Sequence, residues 1–192
     1  MAEGSDSKNE GGLLARLLET RTLQLFGPVN PELAQKVITG LLLLDAEDSE
    51  KPITVVQNSP GGSVNDGFAI MDTMRFVKAP VRVVCVGLTA SIATITLLGA
   101  AKADRVSLPN TRFLIHQPLL GGTIMGPASD LEITAQEILK TRAKINTMLA
   151  EETGQPMPRV EQDTQRDYWM TAEEAVEYGL IARIVNSASE LD

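Results

Sequence analysis

The sequence predicts an α/β fold with a mainly parallel sheet, flanking helices and one long polar helix. Three observations carry that reading. Short β-branched runs alternate with segments whose apolar residues recur at helical spacing. Turn formers, Gly27-Pro28 and Asn58-Ser59-Pro60-Gly61-Gly62, punctuate the alternation. The rhythm then stops at 121–126, and beyond it a single helical pattern runs over 128–152.

Residues 1–12 are polar and carry nothing to pack, so they read as a mobile arm. Leu13, Leu14, Leu17 and Leu18 share one helical face. A short strand is expected over 22–26. Asn30-Pro31 opens the next helix, with proline at its first position and Leu33, Val37, Leu41 and Leu44 on its apolar face. A strand follows at 53–57, a helix at about 65–76, a strand at 81–86 and a small-residue helix at 91–101. Further strands are expected at 106–108 and 112–115. The long helix carries Leu131, Ala135, Ile138, Ile145 and Leu149 as a narrow stripe, suited to packing on a core or on another subunit. The chain closes with a helix at 172–177, a stop at Gly179 and a strand at 181–185. No repeat or linker interrupts it, so 13–192 reads as one domain.

Composition narrows the function. Hydrophobic residues at 43% and charged residues at 22% describe an ordinary globular chain. A formal net charge of −8 argues against nucleic acid, whose phosphates require clustered Lys and Arg. The one cysteine, Cys85, lies in the apolar run Val83-Val84-Cys85-Val86 and suits a buried hydrophobe. With no membrane-length apolar stretch and no secretory pattern in the first residues, a cytoplasmic location is expected.

The chemistry starts from the single histidine. His116 follows the strand 112–115, and any imidazole base near neutral pH has to be this residue. A structural histidine at a strand end is the plainer alternative. Ser91 occupies an equivalent place after the strand 81–86, opening a helix whose free N–H groups favour a developing oxyanion. Serine is also a favoured N-cap, and the surrounding residues do not form a G-x-S-x-G elbow. Gly61-Gly62 lacks both the G-x-G-x-x-G spacing and the P-loop lysine. It either brings the backbone close to a ligand or makes a tight turn.

Taken together, these segments resemble a known family. Asn58–Ser63, the stretch Gly87-Leu88-Thr89-Ala90-Ser91-Ile92-Ala93, Leu108-Pro109-Asn110 and Ile115-His116-Gln117-Pro118 are similar to the proteolytic subunit of the Clp protease (ClpP). So are Asp167-Tyr168-Trp169-Met170-Thr171-Ala172-Glu173-Glu174-Ala175 and Glu177-Tyr178-Gly179-Leu180. The resemblance runs from about Leu17 to Val185 and implies a ClpP/crotonase-like fold with a protruding handle over about 119–153.

It implies a serine endopeptidase with Ser91 as nucleophile, His116 as base and Asp167, rather than Asp163, as the acid that orients the base. Gly62 and Ile92 match the oxyanion-hole amides. Gly61, Ser63, Val64 and Leu119 match substrate-binding positions, the 61–64 segment pairing with substrate by strand addition. No cofactor or metal is implied. The implied assembly is a homo- or hetero-heptameric ring stacked as a tetradecamer, fed with unfolded polypeptide by an AAA+ Clp unfoldase. The chain itself has no P-loop.

Several positions depart from the family pattern. Thr89 replaces alanine and stands where it could crowd the turn before Ser91. Ile92 replaces methionine, with a β-branch that reshapes the pocket for the substrate side chain. Gln165 replaces the acidic residue of an inter-ring ion pair, and the 119–127 loop is longer. A non-catalytic ring subunit working beside an active paralogue, and a crotonase-like acyl-CoA enzyme, are the alternative functions.

Overall fold

A computed structural model describes residues 12–13, 15–119 and 125–191. The expected arm, apart from Gly12, lies outside the described residues, as do Leu14 and most of the 121–126 break. The described elements alternate as the sequence predicts. They run β1 (Thr22–Phe26), α1 (Pro31–Glu47), β2 (Ile53–Ser59), α2 (Val64–Phe76), β3 (Val81–Ala90), α3 (Ile92–Thr96), β4 (Arg105–Ser107) and β5 (Arg112–Ile115). After these come α4 (Ala128–Thr153), α5 (Met157–Asp163), β6 (Tyr168–Met170), α6 (Ala172–Tyr178) and β7 (Arg183–Ile184).

The sheet order is β1-β2-β3-β4-β7, with β5 on β3 and β6 on β5. Every pairing is parallel except β5 with β6. The core lies between this sheet and its helices, where Leu25, Leu41, Leu44, Ile53, Val55, Ile70 and Met71 are all essentially inaccessible. Helix α1 begins as expected: Pro31 fills its first turn and the Asn30 side chain accepts a hydrogen bond from the Leu33 amide at 2.8 Å.

Four departures from the expected elements bear on the site. Strand β2 continues through Asn58 and Ser59, which had been expected to break it. Strand β3 continues beyond Val86 to Ala90 and pairs twice. Its Val83–Cys85 stretch pairs with β4, and Leu88–Ala90 pairs with β5. The expected helix at 91–101 is a five-residue α3 followed by a 3-10 turn at Leu97–Gly99. Strand β6 and helix α5 have no counterpart in the sequence expectation; β6 is three residues long and α5 seven.

The expected stripe of α4 is buried only at its base. Ile145 and Leu149 are enclosed, whereas Leu131 and Ala135 are exposed. The base is pinned by Glu152, which accepts hydrogen bonds from Arg75 Nη2 at 2.7 Å and from the buried Arg105. Apolar Ile133 and Leu139 also face outward along the helix.

Candidate active site

Strand β5 organises the site from both ends. The carbonyl of Leu114 accepts the Ser91 amide at 2.9 Å, and two residues later the strand delivers His116. The antiparallel register with β6 sets Ile115 opposite Tyr168. The next residues outward, His116 and Asp167, therefore meet at the sheet's end. A second clasp holds them: the Gln117 amide donates to the Thr164 carbonyl at 2.6 Å, and its side chain donates to the Gln165 carbonyl at 2.9 Å.

The resulting geometry is a relay. His116 Nε2 lies 2.7 Å from Ser91 Oγ, and Nδ1 lies 3.0 Å from Asp167 Oδ1. A carboxylate oxygen can only accept, so Nδ1 donates and the neutral ring presents Nε2 to the serine hydroxyl. The imidazole is mostly enclosed, at 15% side-chain exposure, while Asp167 faces outward at 61%. Asp163, the other acid of this segment, is occupied by Arg159 at 3.3 Å.

Ser91 does not cap its helix. It precedes α3, but its side chain makes no capping bond, and its backbone sits at φ 57°, ψ −128°. That region is strained for any residue with a β-carbon, at a cost of about 1–3 kcal/mol. The strain is held by the Leu114 carbonyl and by Thr94, whose hydroxyl donates to the Ser91 carbonyl at 2.6 Å. The turn aims Oγ at the imidazole.

Beneath the turn lies a polar network that sequence reasoning missed. Gln57 donates to the Ala93 carbonyl at 2.9 Å and to Thr89 Oγ1 at 3.4 Å, and accepts from the Thr96 hydroxyl at 2.9 Å. All three side chains are fully buried. Thr89 therefore does not crowd the turn; its hydroxyl is taken up by this network. The available signal was Gln57 itself, a polar residue at an inward position of the alternating Ile53, Val55, Gln57 face.

Gly61 and Gly62 adjoin the same turn. The Val29 amide donates to the Gly61 carbonyl and the Ser63 amide donates to the Val29 carbonyl, both at 2.8 Å. The segment is thus paired along one edge. The amides of Gly62 and Ile92 donate to no protein group among the described residues. Ser63 caps α2, Val64 begins it, and Leu119 lies three residues past His116, exposed.

Cys85 is inaccessible, and burial pushes its thiol up to about 12 despite the nearby Thr89 hydroxyl. Among the described residues no group of His, Cys, Asp and Glu is arranged to hold a metal ion. No helix among them is long and apolar enough to cross a membrane.

Comparison with known proteins agrees with this geometry. The sequence pattern of the Clp protease family matches residues 5–188. The ATP-dependent Clp protease proteolytic subunit 2 of Treponema denticola is 45% identical over 185 residues, covering 96% of this chain and 92% of that protein. The chain belongs to the Clp protease family and is a peptidase of the serine type.

Proposed function

We propose that Ser91, His116 and Asp167 form the catalytic triad of this peptidase, which cuts unfolded polypeptides through an acyl-enzyme. The observation that carries the assignment is the continuous contact from Ser91 Oγ through the imidazole to Asp167, at 2.7 and 3.0 Å. His116 takes the hydroxyl proton as Oγ attacks the scissile carbonyl, and returns it to the leaving amine. Asp167 keeps the ring in the tautomer whose Nε2 accepts. Water then repeats the cycle on the ester and releases Ser91.

The amides of Gly62 and Ile92 bind the oxyanion of the tetrahedral intermediate, a role supported by their lack of other acceptors. Gly61, Ser63 and Val64 receive the substrate backbone along the edge that Val29 does not occupy, with Leu119 on the far side of His116. Recognition through the main chain tolerates many sequences, as a protease for unfolded chains requires.

The family implies association with a Clp ATPase in ring oligomers. We assign this chain to heptameric rings stacked as a tetradecamer in the cytoplasm, built from one or two kinds of subunit, in which an AAA+ unfoldase supplies the ATP hydrolysis. The exposed apolar residues of α4 fit contacts between rings. The test is degradation of unfolded casein by the purified assembly with a Clp ATPase and ATP. Cleavage by wild type and none by Ser91→Ala is expected; equal cleavage by both would overturn the assignment.

A further inference from the structure

Asp167 stands at the entry to β6, a strand of three residues whose pairing with β5 rests on three register partners. A slip of one residue would turn its side chains to the opposite faces and carry Asp167 away from His116. Contacts beyond this short ladder therefore have to hold the register. Tyr168, the residue after Asp167, packs inward against Tyr178, with ring centroids 5.8 Å apart and planes tilted by 44°. Tyr178 is a firm platform: it is buried, and its carbonyl accepts the Gln155 side chain at 3.0 Å. The Arg159 guanidinium lies 5.7 Å from the centre of the Tyr178 ring, a cation–π distance. The same guanidinium donates to Asp163 Oδ2 at 3.3 Å. The Tyr168 hydroxyl and the Asp163 carboxylate beside it keep the Arg159 pKa above the ordinary guanidinium value. Asp163 ends α5 and Tyr168 begins β6, so one arginine meets both ends of the 164–167 turn that carries the acid. With Arg159 at 54% side-chain exposure, the ion pair adds little to stability, and its use is local.

We propose that Arg159 is a positioning residue for the triad: with Asp163, Tyr168 and Tyr178 it latches the two ends of the 164–167 turn and so holds Asp167 against His116 Nδ1. The inference rests on Asp167 as the acid of the triad. Gln117 grips the same turn from the β5 side, through the Thr164 and Gln165 carbonyls. Arg159 grips it from the α5 side. Asp163 thereby gains a role of its own, as the anchor of the latch. Opening the latch leaves the turn held on one side only, and the distance from Asp167 to the imidazole is then no longer fixed. Small displacements of a catalytic group lower the rate steeply, because the reacting geometry is narrow.

The rate at which a small fluorophosphonate modifies Ser91, followed by intact mass on the assembled protein, separates positioning from structure. Arg159→Gln and Asp163→Asn open the latch from opposite sides. Each is expected to slow modification of the otherwise wild-type chain by about tenfold. With Asp167→Asn already in place there is no acid to position. In that background both substitutions are expected to change the rate by less than about twofold, the non-additivity of residues that act through one another. Slowing by the same factor in both backgrounds would overturn the proposal, because a merely structural role acts regardless of Asp167. A rate within about twofold of wild type in both single variants would overturn it as well. If Asp167→Asn alone reacts as fast as wild type, Asp167 is not the acid of the triad, and the latch falls with that reading.

Discussion

The main chain of Gly61 lies directly against Ser91: a β-carbon at Gly61 would stand 2.6 Å from Ser91 Cβ and 2.7 Å from the Ala90 carbonyl oxygen. It would also stand 3.1 Å from the Ile92 amide nitrogen. The two loops that supply the proposed oxyanion amides therefore touch through a glycine that also has φ +90°. Gly61→Ala must push these loops apart. Peptide cleavage is expected to fall by at least about 10²-fold, the scale of losing one oxyanion donor. A kinetic assay on the assembled variant checks this, with the loss expected in kcat.

Asp167 orients His116 by one hydrogen bond from an exposed position, so its removal should leave the fold intact. Asp167→Asn keeps the shape but favours the opposite tautomer, in which Nε2 carries the proton and cannot accept from Ser91. A fall in kcat of about 10⁴-fold is expected on the precedent of triads generally, with little change in thermal midpoint. Steady-state kinetics and a melting curve on one preparation provide both readouts.

The Gln57 network predicts losses of different size for two of its members. Gln57→Leu removes a buried amide that serves the Ala93 carbonyl, Thr89 and Thr96, and should destabilise the chain by about 1–3 kcal/mol. Thr89→Ala loses the 3.4 Å contact from Gln57 and the hydroxyl beside the Cys85 thiol, and should cost about 1 kcal/mol, with cleavage within about twofold of wild type. Denaturant midpoints at fixed protein concentration separate the two, since assembly makes apparent stability concentration-dependent.

Cys85 predicts an alkaline limit. Its thiol is held at about 12 in the folded chain against 9.0 unperturbed. Between these values the unfolded chain has released the proton and the folded chain has not. Folded stability from this group is therefore full below about pH 9 and is lost as pH rises, by up to about tenfold in the folding constant per unit. Cys85→Ala should flatten that slope in melts between pH 8.5 and 10.5, and native wild type should resist iodoacetamide until it unfolds.

Much of this arrangement was legible in local pattern, and the rest depended on contacts that local pattern does not encode. Asn30-Pro31, Thr171 and Gly179 carry cap chemistry within a few residues, so α1 and α6 are readable in the sequence. The expected strand ended at Val86, one residue before Gly87. In the fold it is where β3 changes partner from β4 to β5. By position alone Ser91 read first as a helix cap, yet in the fold its side chain makes no capping bond. The pairing of His116 with Asp167 depends on the register of Ile115 with Tyr168, 53 positions later and on a three-residue strand. Motif resemblance supplied that pairing in the sequence. The strand register explains it physically.

Active-site labelling with a fluorophosphonate, located by peptide mass, decides whether Ser91 is the nucleophile. One adduct per chain is expected, on the peptide containing Ser91, abolished in Ser91→Ala and strongly slowed in His116→Ala. A folded, assembled wild type that takes up no label, or takes it up on another residue, would contradict it.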